Sequence, residues 1–307
     1  MTYETLLPPG VTVFERGWLS SNNIVIRGRA GGAVVDTGYW THSEQTVQLI
    51  ARALGDGPLQ AVVNTHLHSD HCGGNAALQA HWPTARTSIP PGLSDAVRRW
   101  DEVALTYAPT GQRCPRFEFQ DTLVPGGSIV LGDLAWQVHA APGHDPNSVI
   151  LFEPASRTLI SADALWQNGF GVVFQELEGE RAFDEVAHTL DMIEALQPVL
   201  VLPGHGSPFT DVSAALARAR SRLDAYVRDP ARHAAHAAKV LLKFKLLEVQ
   251  SAPVDDFISW AESTTYFRLV WRRWFFDVPA EDWLSSLLDD LSRAGAARVE
   301  QGIVRNA

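Results

Sequence analysis

The chain has 307 residues, of which 46% are hydrophobic and 20% charged, and its 25 basic and 35 acidic side chains give a formal net charge of −10. These values exclude a disordered or collagen-like chain and indicate one large domain or two smaller ones. The acidic balance disfavours nucleic acid or an anionic membrane as the main partner, because both would be repelled at long range. Two cysteines cannot make a disulfide framework, and the first ten residues have no apolar signal segment, so we expect a cytoplasmic protein with no membrane span.

The first eighty residues alternate short strands with helices. Three β-branched runs bounded by Gly or Asn predict strands, namely VTVFER, NNIVIRG and GGAVVDTG. Helical spacing of apolar residues predicts a helix over 42–54, which the turn GDGP ends. A buried strand, LQAVVNT, then leads through the polar loop THLHSDHCGG into a second helix over 75–80. This unit predicts a loop with polar chemistry between a strand and a helix.

Residues 85–210 carry more strands than helices. We expect a strand at ARTSI, a helix over about 93–107, and an irregular connection up to residue 120 that lies over a site. Further strands are predicted at TLV, SIV, LAWQVHAA, SVILFE, RTLISAD and VLVLPGHG, with a helix over 183–196 before the last of them. Two blocks of strands, each followed by helices, favour an α/β fold with two sheets covered by outer helices.

The composition changes after residue 210. Alanine, arginine and leucine dominate the tail, which predicts a helical extension over 211–307 beside a catalytic domain over 1–210. Its last segment is similar to the final helix and wing of a winged-helix module. Arg218, Arg220 and Arg222 suggest nucleic-acid binding, but the tail has 14 basic and 13 acidic side chains, a net charge of +1, which predicts no basic patch. An aromatic run predicts a tail core or a contact with another subunit, and thus a possible homodimer, through Trp271, Trp274, Phe275 and Phe276.

A histidine-rich motif carries the chemistry of the sequence. The loop after LQAVVNT supplies His66, His68, Asp70 and His71, spaced H-x-H-x-D-H. On extended backbone, side chains two residues apart point the same way, so the first two histidines can reach one ion, while Asp70 and His71, one turn on, can reach a second. Imidazole suits zinc, iron or manganese, and a carboxylate admits harder divalent ions. The spacing therefore predicts a metal site.

Three more ligand-type residues follow apolar strands: His144 in PGHDPNS, Asp163 in SAD and His205 in PGHG. Strand ends of a layered fold converge on one edge, so four separate segments can deliver seven ligands to one place. The sequence has neither a G-x-S-x-G nucleophile motif nor a G-x-x-x-x-G-K phosphate loop, which disfavours acyl-serine and ATP-driven mechanisms.

This ordered set of motifs resembles the metallo-β-lactamase superfamily of αβ/βα hydrolases over about residues 10–210. The resemblance implies a four-layer αβ/βα sandwich, here with a mainly helical C-terminal domain. It also implies one metal held by His66, His68 and His144, a second held by Asp70, His71 and His205, and Asp163 bridging both. Asp36, in VVDTG, resembles the first motif of the family, whose aspartate supports the ligands without binding metal.

Charge arithmetic then predicts the reaction. Two divalent ions, zinc first with iron or manganese as alternatives, leave about two positive charges beside Asp70 and Asp163. They should hold a bridging hydroxide, because coordination lowers the pKa of water from 15.7 to roughly 7. The hydroxide would attack a thioester, lactone or related ester, as in the glyoxalase II and lactonase branches, and Asp70 could take up the proton of the nucleophile. The small molecule would be the partner, with nucleic acid and membranes disfavoured.

The sequence is also compatible with three other functions, and further residues are candidates for a substrate pocket. A mononuclear iron persulfide dioxygenase would use only part of the ligand set, a phosphodiesterase or ribonuclease could use the same metals, and a non-catalytic binding module would not need intact ligands. Residues after Asp163 could line a substrate pocket or pack in the core: Trp166, Asn168, Phe170 and Phe174, with Tyr107 as a further candidate. We expect Cys72 to be packed, Cys114 to be a plain surface or packed thiol, and the other histidines to be solvated or hydrogen-bonded: His42, His81, His139, His188, His233 and His236.

Overall fold

The computed structural model describes residues 3–307. Two sheets face each other, and the first of them has six strands. In spatial order these are β1 (Val11–Phe14), β2 (Asn23–Gly28), β3 (Gly31–Val35), β4 (Leu59–Val63), β5 (Arg86–Ile89) and β6 (Asp121–Thr122). The first three strands pair antiparallel, and β3 through β6 pair parallel. Chain segments that leave the parallel strands therefore emerge at one edge of the sheet.

The second sheet has five strands. They are β7 (Ser128–Leu131), β8 (Leu134–Ala140), β9 (Val149–Glu153), β10 (Thr158–Ala162) and β11 (Leu200–Pro203), in the spatial order β11-β10-β9-β8-β7. Only β10 and β11 pair parallel. Successive side chains alternate between faces, so that in β10 Ile160 packs between the sheets while Leu159 packs against the outer helices. Ile26 and Trp136 bring the two sheets together in the same inner core.

Helices cover the outer faces of both sheets. In chain order the helices up to residue 228 are α1 (Ser43–Leu54), α2 (Ser69–Cys72), α3 (Asn75–His81), α4 (Ser94–Arg99), α5 (Tyr107–Thr110), α6 (Phe174–Glu178), α7 (Phe183–Leu196) and α8 (Val212–Arg228), with short 3-10 turns at Tyr3–Leu6 and Trp40–His42. Ile50 of α1 and Leu78 of α3 are fully buried on the first sheet. Leu190 of α7 and Leu216 of α8 are buried on the second. The predicted four-layer α/β sandwich is confirmed.

The connection over residues 93–120 differs from the prediction. The single helix expected over 93–107 is wrong: α4 and α5 are separate, because Trp100 and Thr106 adopt left-handed backbone at φ +56 and +67. The expected strand TLV shrinks to β6, which joins the first sheet. Leu105 and Phe117 are buried in a small core of their own, so the segment is anchored beside the site rather than free.

After α8, the tail continues with four more helices and a small sheet. Its elements are α9 (Pro230–Val249), β12 (Ser251–Pro253), α10 (Val254–Ser263), α11 (Thr265–Trp274), α12 (Ala280–Arg293), β13 (Ala297–Glu300) and β14 (Ile303–Asn306). The helix, glycine turn and strands expected at its end are present, and β12 adds a strand that the sequence analysis missed. Helix α8 packs on the second sheet, whereas α9 packs in the tail core, and the domain boundary expected at residue 210 stays a prediction.

The aromatic run of the tail divides between core and surface. Trp271, Trp274 and Phe275 pack against the tail core, whereas the side chain of Phe276 is 70% exposed. Among residues 3–307, none of the helices combines the length and the apolar character needed to cross a bilayer.

Candidate metal centre

The structure brings all seven expected ligand residues to the edge where strands of both sheets end. They are His66 and His68 after β4, Asp70 and His71 on α2, His144 after β8, Asp163 after β10 and His205 after β11. Their donor atoms form three groups in which all atoms lie within 4.8 Å of one another: His66, His68 and His144; His66, His71 and Asp163; and Asp70, His71 and His205. Two of these groups have the same members as the two expected ligand sets, and the third joins Asp163 to one residue of each set.

Unusual backbone holds the strand ends in place. Asp36, after β3, and Ala162, before Asp163, have left-handed φ of +57 and +47, which costs free energy for residues with a side chain. At Gly204, a Cβ atom would lie 2.2 Å from the Oδ1 atom of Asp163. Only glycine admits this approach, so the chain before His205 can pass directly under the central carboxylate.

The first group is built from three imidazoles with defined free nitrogens. The Nδ1 atom of His144 donates to the carbonyl oxygen of Val172 at 2.6 Å, which leaves its Nε2 atom as a lone-pair donor facing the centre. That Nε2 atom lies 2.8 Å from Nδ1 of His68. The Nδ1 atom of His66 lies 3.1 Å from the hydroxyl of Thr65, and its Nε2 atom is buried with no hydrogen-bond partner within residues 3–307. Each of the three rings thus has one nitrogen atom within 4.8 Å of a nitrogen atom of the other two.

The second group combines carboxylates with imidazoles. The Nε2 atom of His205 lies 3.1 Å from Oδ2 of Asp70, and Nε2 of His71 lies 3.9 Å from the same oxygen. Asp163 stands between the groups: its Oδ1 atom is 3.4 Å from Nε2 of His71, and its Oδ2 atom is 3.5 Å from Nε2 of His144. One carboxylate therefore faces both groups, and Trp166 orients it by donating from Nε1 to Oδ1 at 3.2 Å.

Asp36 lies behind the ligands, where the resemblance places a supporting aspartate. Its Oδ2 atom accepts hydrogen bonds from Nδ1 of His71 at 2.8 Å and from the Thr65 hydroxyl at 2.7 Å. Its Oδ1 atom accepts from the backbone N–H of Thr65 at 2.9 Å. Because a carboxylate can only accept, Nδ1 of His71 carries a proton, so in the neutral ring the lone pair is on Nε2, which faces Asp163.

The electrostatics of the site favour neutral imidazoles on one side and a cation on the other. Burial lowers the pKa of His68 to about 3, and burial followed by the neighbouring histidines lowers the pKa of His66 well below its usual value. The pKa of His71 is instead raised well above its usual value: burial opposes this, but the carboxylates of Asp163, Asp36 and Asp70 outweigh it. A pocket of carboxylates that retains a proton would equally favour a divalent cation.

The donor set fits divalent metal ions. The buried Nε2 atoms of His66 and His71 have no hydrogen-bond partner within the described residues, although an unsatisfied buried polar atom costs about 1–3 kcal/mol. Coordination would satisfy both atoms. Imidazole nitrogens with shared carboxylates suit zinc, iron or manganese.

A small cavity of about 100 Å³ opens over the candidate ligands. Three of the four expected pocket residues line it, namely Trp166, Phe170 and Phe174. The fourth, Asn168, lies in a neighbouring groove instead, and Tyr107 is buried, donating its hydroxyl to the carbonyl oxygen of Leu67 at 2.9 Å. Cys72 is buried as expected, and Cys114 is buried rather than at the surface, with the two Sγ atoms 3.8 Å apart.

The sequence analysis missed residues that complete the cavity from distant segments. Trp18, in the loop between β1 and β2, stacks on His205 with ring centroids 5.4 Å apart and an interplanar angle of 10°. Gln112 comes from the connection after α5, and Val240 and Phe244 of α9 form the roof. His236, expected to be solvated or hydrogen-bonded, also lines the cavity. No local motif could have found them, because they come from three segments that are far apart in the chain and meet only in the folded protein.

Comparison with known proteins agrees with this geometry. The family model described as "Metallo-beta-lactamase superfamily" matches residues 16–205. The chain belongs to this superfamily. It is an enzyme, a metallohydrolase, as its curated relatives are. A probable metallo-hydrolase, YflN, of Bacillus subtilis is 27% identical over 207 residues, which cover 58% of this chain and 76% of that protein. A hydroxyacylglutathione hydrolase of Anaeromyxobacter dehalogenans is 28% identical over 228 residues, 74% of this chain and 78% of that protein.

Solved structures of the superfamily share the fold along the whole chain. A beta-lactamase domain protein from Burkholderia ambifaria has a TM-score of 0.60 at 23% identity, and covers 98% of this chain and 93% of its own. A metallo-beta-lactamase family protein from Thermus thermophilus has a TM-score of 0.57 at 17% identity. The match covers 98% of this chain and 99% of that protein. The fold of the tail is therefore shared with other members of the superfamily.

Proposed function

We propose that this metallohydrolase is a dinuclear enzyme that cleaves thioesters, lactones or related esters with water. The observation that carries the proposal is the placement of Asp163, whose two carboxylate oxygens face two separate groups of ligand atoms. His66, His68 and His144 would hold one ion, and Asp70, His71 and His205 the other. When bound, the two ions would supply a water of lowered pKa as nucleophile and polarise the carbonyl oxygen under attack.

The residues around the centre would prepare the site for this reaction. Asp36 and Val172 fix the protons of His71 and His144 on the nitrogens that point away from the centre. Asp70, whose side chain is close to the cavity and bonded to His205, would accept the proton released when water attacks. Trp18 packs on His205 and Phe174 on His68, and these rings would limit the contact of the histidines with water, which would strengthen electrostatic interactions within the site.

The choice of a carbonyl substrate rests on the site and on a relative. The cavity walls are largely aromatic and aliphatic, which suits the acyl part of an ester better than a charged phosphodiester. The hydroxyacylglutathione hydrolase named above, a thioester hydrolase by its name, aligns over 74% of this chain. We expect thioesters first and lactones second.

The test measures metal content and turnover on the same sample. The purified chain should contain about two divalent ions and hydrolyse thioesters or lactones in a screen that also includes β-lactams and phosphodiesters. Asp163→Asn should lose metal and turnover, whereas Asp133→Asn, which changes an exposed carboxylate paired with Arg29, should retain both. Fewer than about one ion per chain, or an active Asp163→Asn enzyme, would contradict the two-metal proposal.

A further inference from the structure

A basic groove of about 850 Å³ lies beside the metal centre, where α8 meets α9. Its cationic lining residues are Arg218, Arg222, Arg228, Arg232 and Lys239, and its lining contains no aspartate or glutamate. The sequence analysis expects no basic patch, because positive and negative charges of the tail nearly cancel. That expectation is wrong, because folding gathers these cations in one groove and leaves the acids of the tail outside its lining. A concave surface of this charge selects anions.

The arginines of the basic groove have no internal counter-charges. Within residues 3–307, none of its four arginines forms an ion pair with a carboxylate, while Lys239 pairs with Asp290 at 3.1 Å. By contrast Arg220, on the same helix as Arg218 and Arg222, pairs with Asp191 and Glu194 at 2.8 Å each. Unpaired like charges in one groove repel each other, so an anion that binds there would relieve the repulsion.

The basic groove is connected to the metal centre through one short turn. After Asp163, the turn over 166–169 places Trp166 in the cavity and Asn168 in the groove. Arg218 donates from Nε to the carbonyl oxygen of Gln167 at 2.8 Å, and the guanidinium of Arg222 packs on Gly169, where a Cβ atom would lie 2.5 Å from it. An anion held by these arginines would therefore lie next to the chain segment that carries the central carboxylate.

His236 stands at the junction of the two spaces. It lines both the basic groove and the cavity over the ligands. Burial, together with the positive charges of Arg222 and Lys239, lowers the pKa of His236 to about 4, so its ring is neutral at pH 7. His236 thus presents a neutral ring to both the basic groove and the cavity, and the roof that α9 adds to the cavity is apolar. That arrangement suits a molecule with an anionic carrier at one end and an uncharged acyl group at the other.

We propose that the basic groove binds the phosphate groups of a nucleotide-bearing thioester, while the acyl carbon of the same molecule lies at the metal centre. This inference rests on the proposed function. The reaction consumes one water: the C–S bond breaks, a C–O bond forms, the carboxylic acid keeps the water oxygen, and the thiol leaves with a proton. The planar guanidinium groups match phosphate oxygens in paired hydrogen bonds. A glutathione carrier fits less well, because its own ammonium balances part of its carboxylate charge.

The test compares two thioesters that differ only in the nucleotide. Acetyl-coenzyme A and S-acetyl-N-acetylcysteamine share the acyl group and the thiol end, so the ratio of their kcat/KM values isolates the contribution of the phosphate-bearing part. We expect the metal-loaded enzyme to prefer acetyl-coenzyme A, and the double variant R228Q/R232Q to lower the ratio at least about tenfold, since each hydrogen bond to a charged group contributes about 1.5–3 kcal/mol. The matched variant R220Q should keep the wild-type ratio, because its charge is already paired.

A binding measurement separates this inference from the proposed function. We expect ADP, titrated by calorimetry at low salt, to bind wild type and R220Q, to bind R228Q/R232Q at least about tenfold more weakly, and to bind less tightly as salt screens the charges. If no thioester is hydrolysed but ADP binding depends on the groove arginines, the phosphate site stands and the proposed hydrolysis fails. If both thioesters are cleaved equally and ADP does not bind, the groove inference fails and the proposed function stands.

Other outcomes are equally decisive. ADP binding that R228Q/R232Q weakens without changing the kcat/KM ratio would overturn the inference, because the nucleotide would then be a separate ligand rather than part of the substrate. A short single-stranded RNA that displaces ADP and is cleaved would also overturn it, in favour of a nuclease. The single variants R228Q and R232Q should give intermediate ratios, which keeps the test valid if the double variant does not fold.

Discussion

Asp36→Asn tests whether a buried hydrogen-bond chain sets the metal-binding form of His71. In the wild type, Oδ2 of Asp36 accepts from Nδ1 of His71 and from the hydroxyl of Thr65. An asparagine can keep the bond from the Thr65 backbone N–H on its oxygen, but its NH₂ group would face the other two donors. The threonine hydroxyl can rotate and accept from the amide. His71 has no such freedom and must either lose its bond or move its proton to Nε2.

Both consequences have a magnitude that follows from the geometry. A buried donor left unsatisfied costs about 1–3 kcal/mol, and this sets the expected loss in free energy of unfolding of the metal-free variant. If the proton moves, Nε2 no longer presents a lone pair toward Asp163 and Asp70, and loss of such a supporting partner typically lowers metal affinity about 10–100-fold. The affected ion should be the one held by Asp70, His71 and His205, so the affinity for this ion should decrease more than the affinity for the other.

Two measurements check this prediction. Urea unfolding of the metal-free proteins gives the stability difference, and competition with a chromophoric chelator gives the affinities of the two ions separately. Asp133→Asn is the matched control, because it makes the same change at an exposed carboxylate far from the ligands. An Asp36→Asn protein that binds both ions with wild-type affinity would refute the assigned proton position and the supporting role of Asp36.

Two further predictions concern the tail. His233, fully enclosed, accepts a hydrogen bond from the backbone N–H of Val173 at 3.1 Å, and burial lowers its pKa to about 3. The unfolded chain therefore binds this proton first as the pH falls below about 6.5, so His233 by itself should lower the free energy of unfolding by about 2 kcal/mol between pH 7 and pH 5. In urea unfolding, the loss of stability between these two pH values should be smaller in His233→Gln than in the wild type by this contribution. Phe244→Ala removes part of the cavity roof, so kcat/KM for bulky acyl thioesters should rise at least about threefold relative to acetyl thioesters; an unchanged ratio would show that Phe244 does not limit the acyl group.

The candidate ligands could be predicted from the sequence because their positions depend on short-range rules. His66 and His68 are two residues apart after a strand, and Asp163 and His205 each follow an apolar run, so strand ends alone bring them near one another. The break between α4 and α5 could not be predicted in this way. Trp100 carries no signal for left-handed backbone, and the surrounding core of Leu105 and Phe117 imposes it.

The basic groove shows a different limit of sequence reasoning. A charge count treats Arg218, Arg220 and Arg222 as equivalent because they lie within five residues of one another. In the structure Arg220 faces α7 and is neutralised by its acids, whereas Arg218 and Arg222 face the groove. On a helix, residues two apart point in different directions, so the spatial grouping depends on which face packs against the sheet. Net charge along the chain cannot report that grouping.

The position of α9 indicates that two different parts of the chain would determine the reaction and the substrate. The strand ends supply the candidate metal ligands, which would fix the kind of reaction. Helix α9 supplies Val240 and Phe244 to the roof and Arg232 to the groove, which would limit the size and charge of the substrate. Relatives that share the ligand motifs need not share these residues of α9. Since the site rather than the fold determines the substrate, the tail is where members of the superfamily with the same metal centre can diverge in specificity.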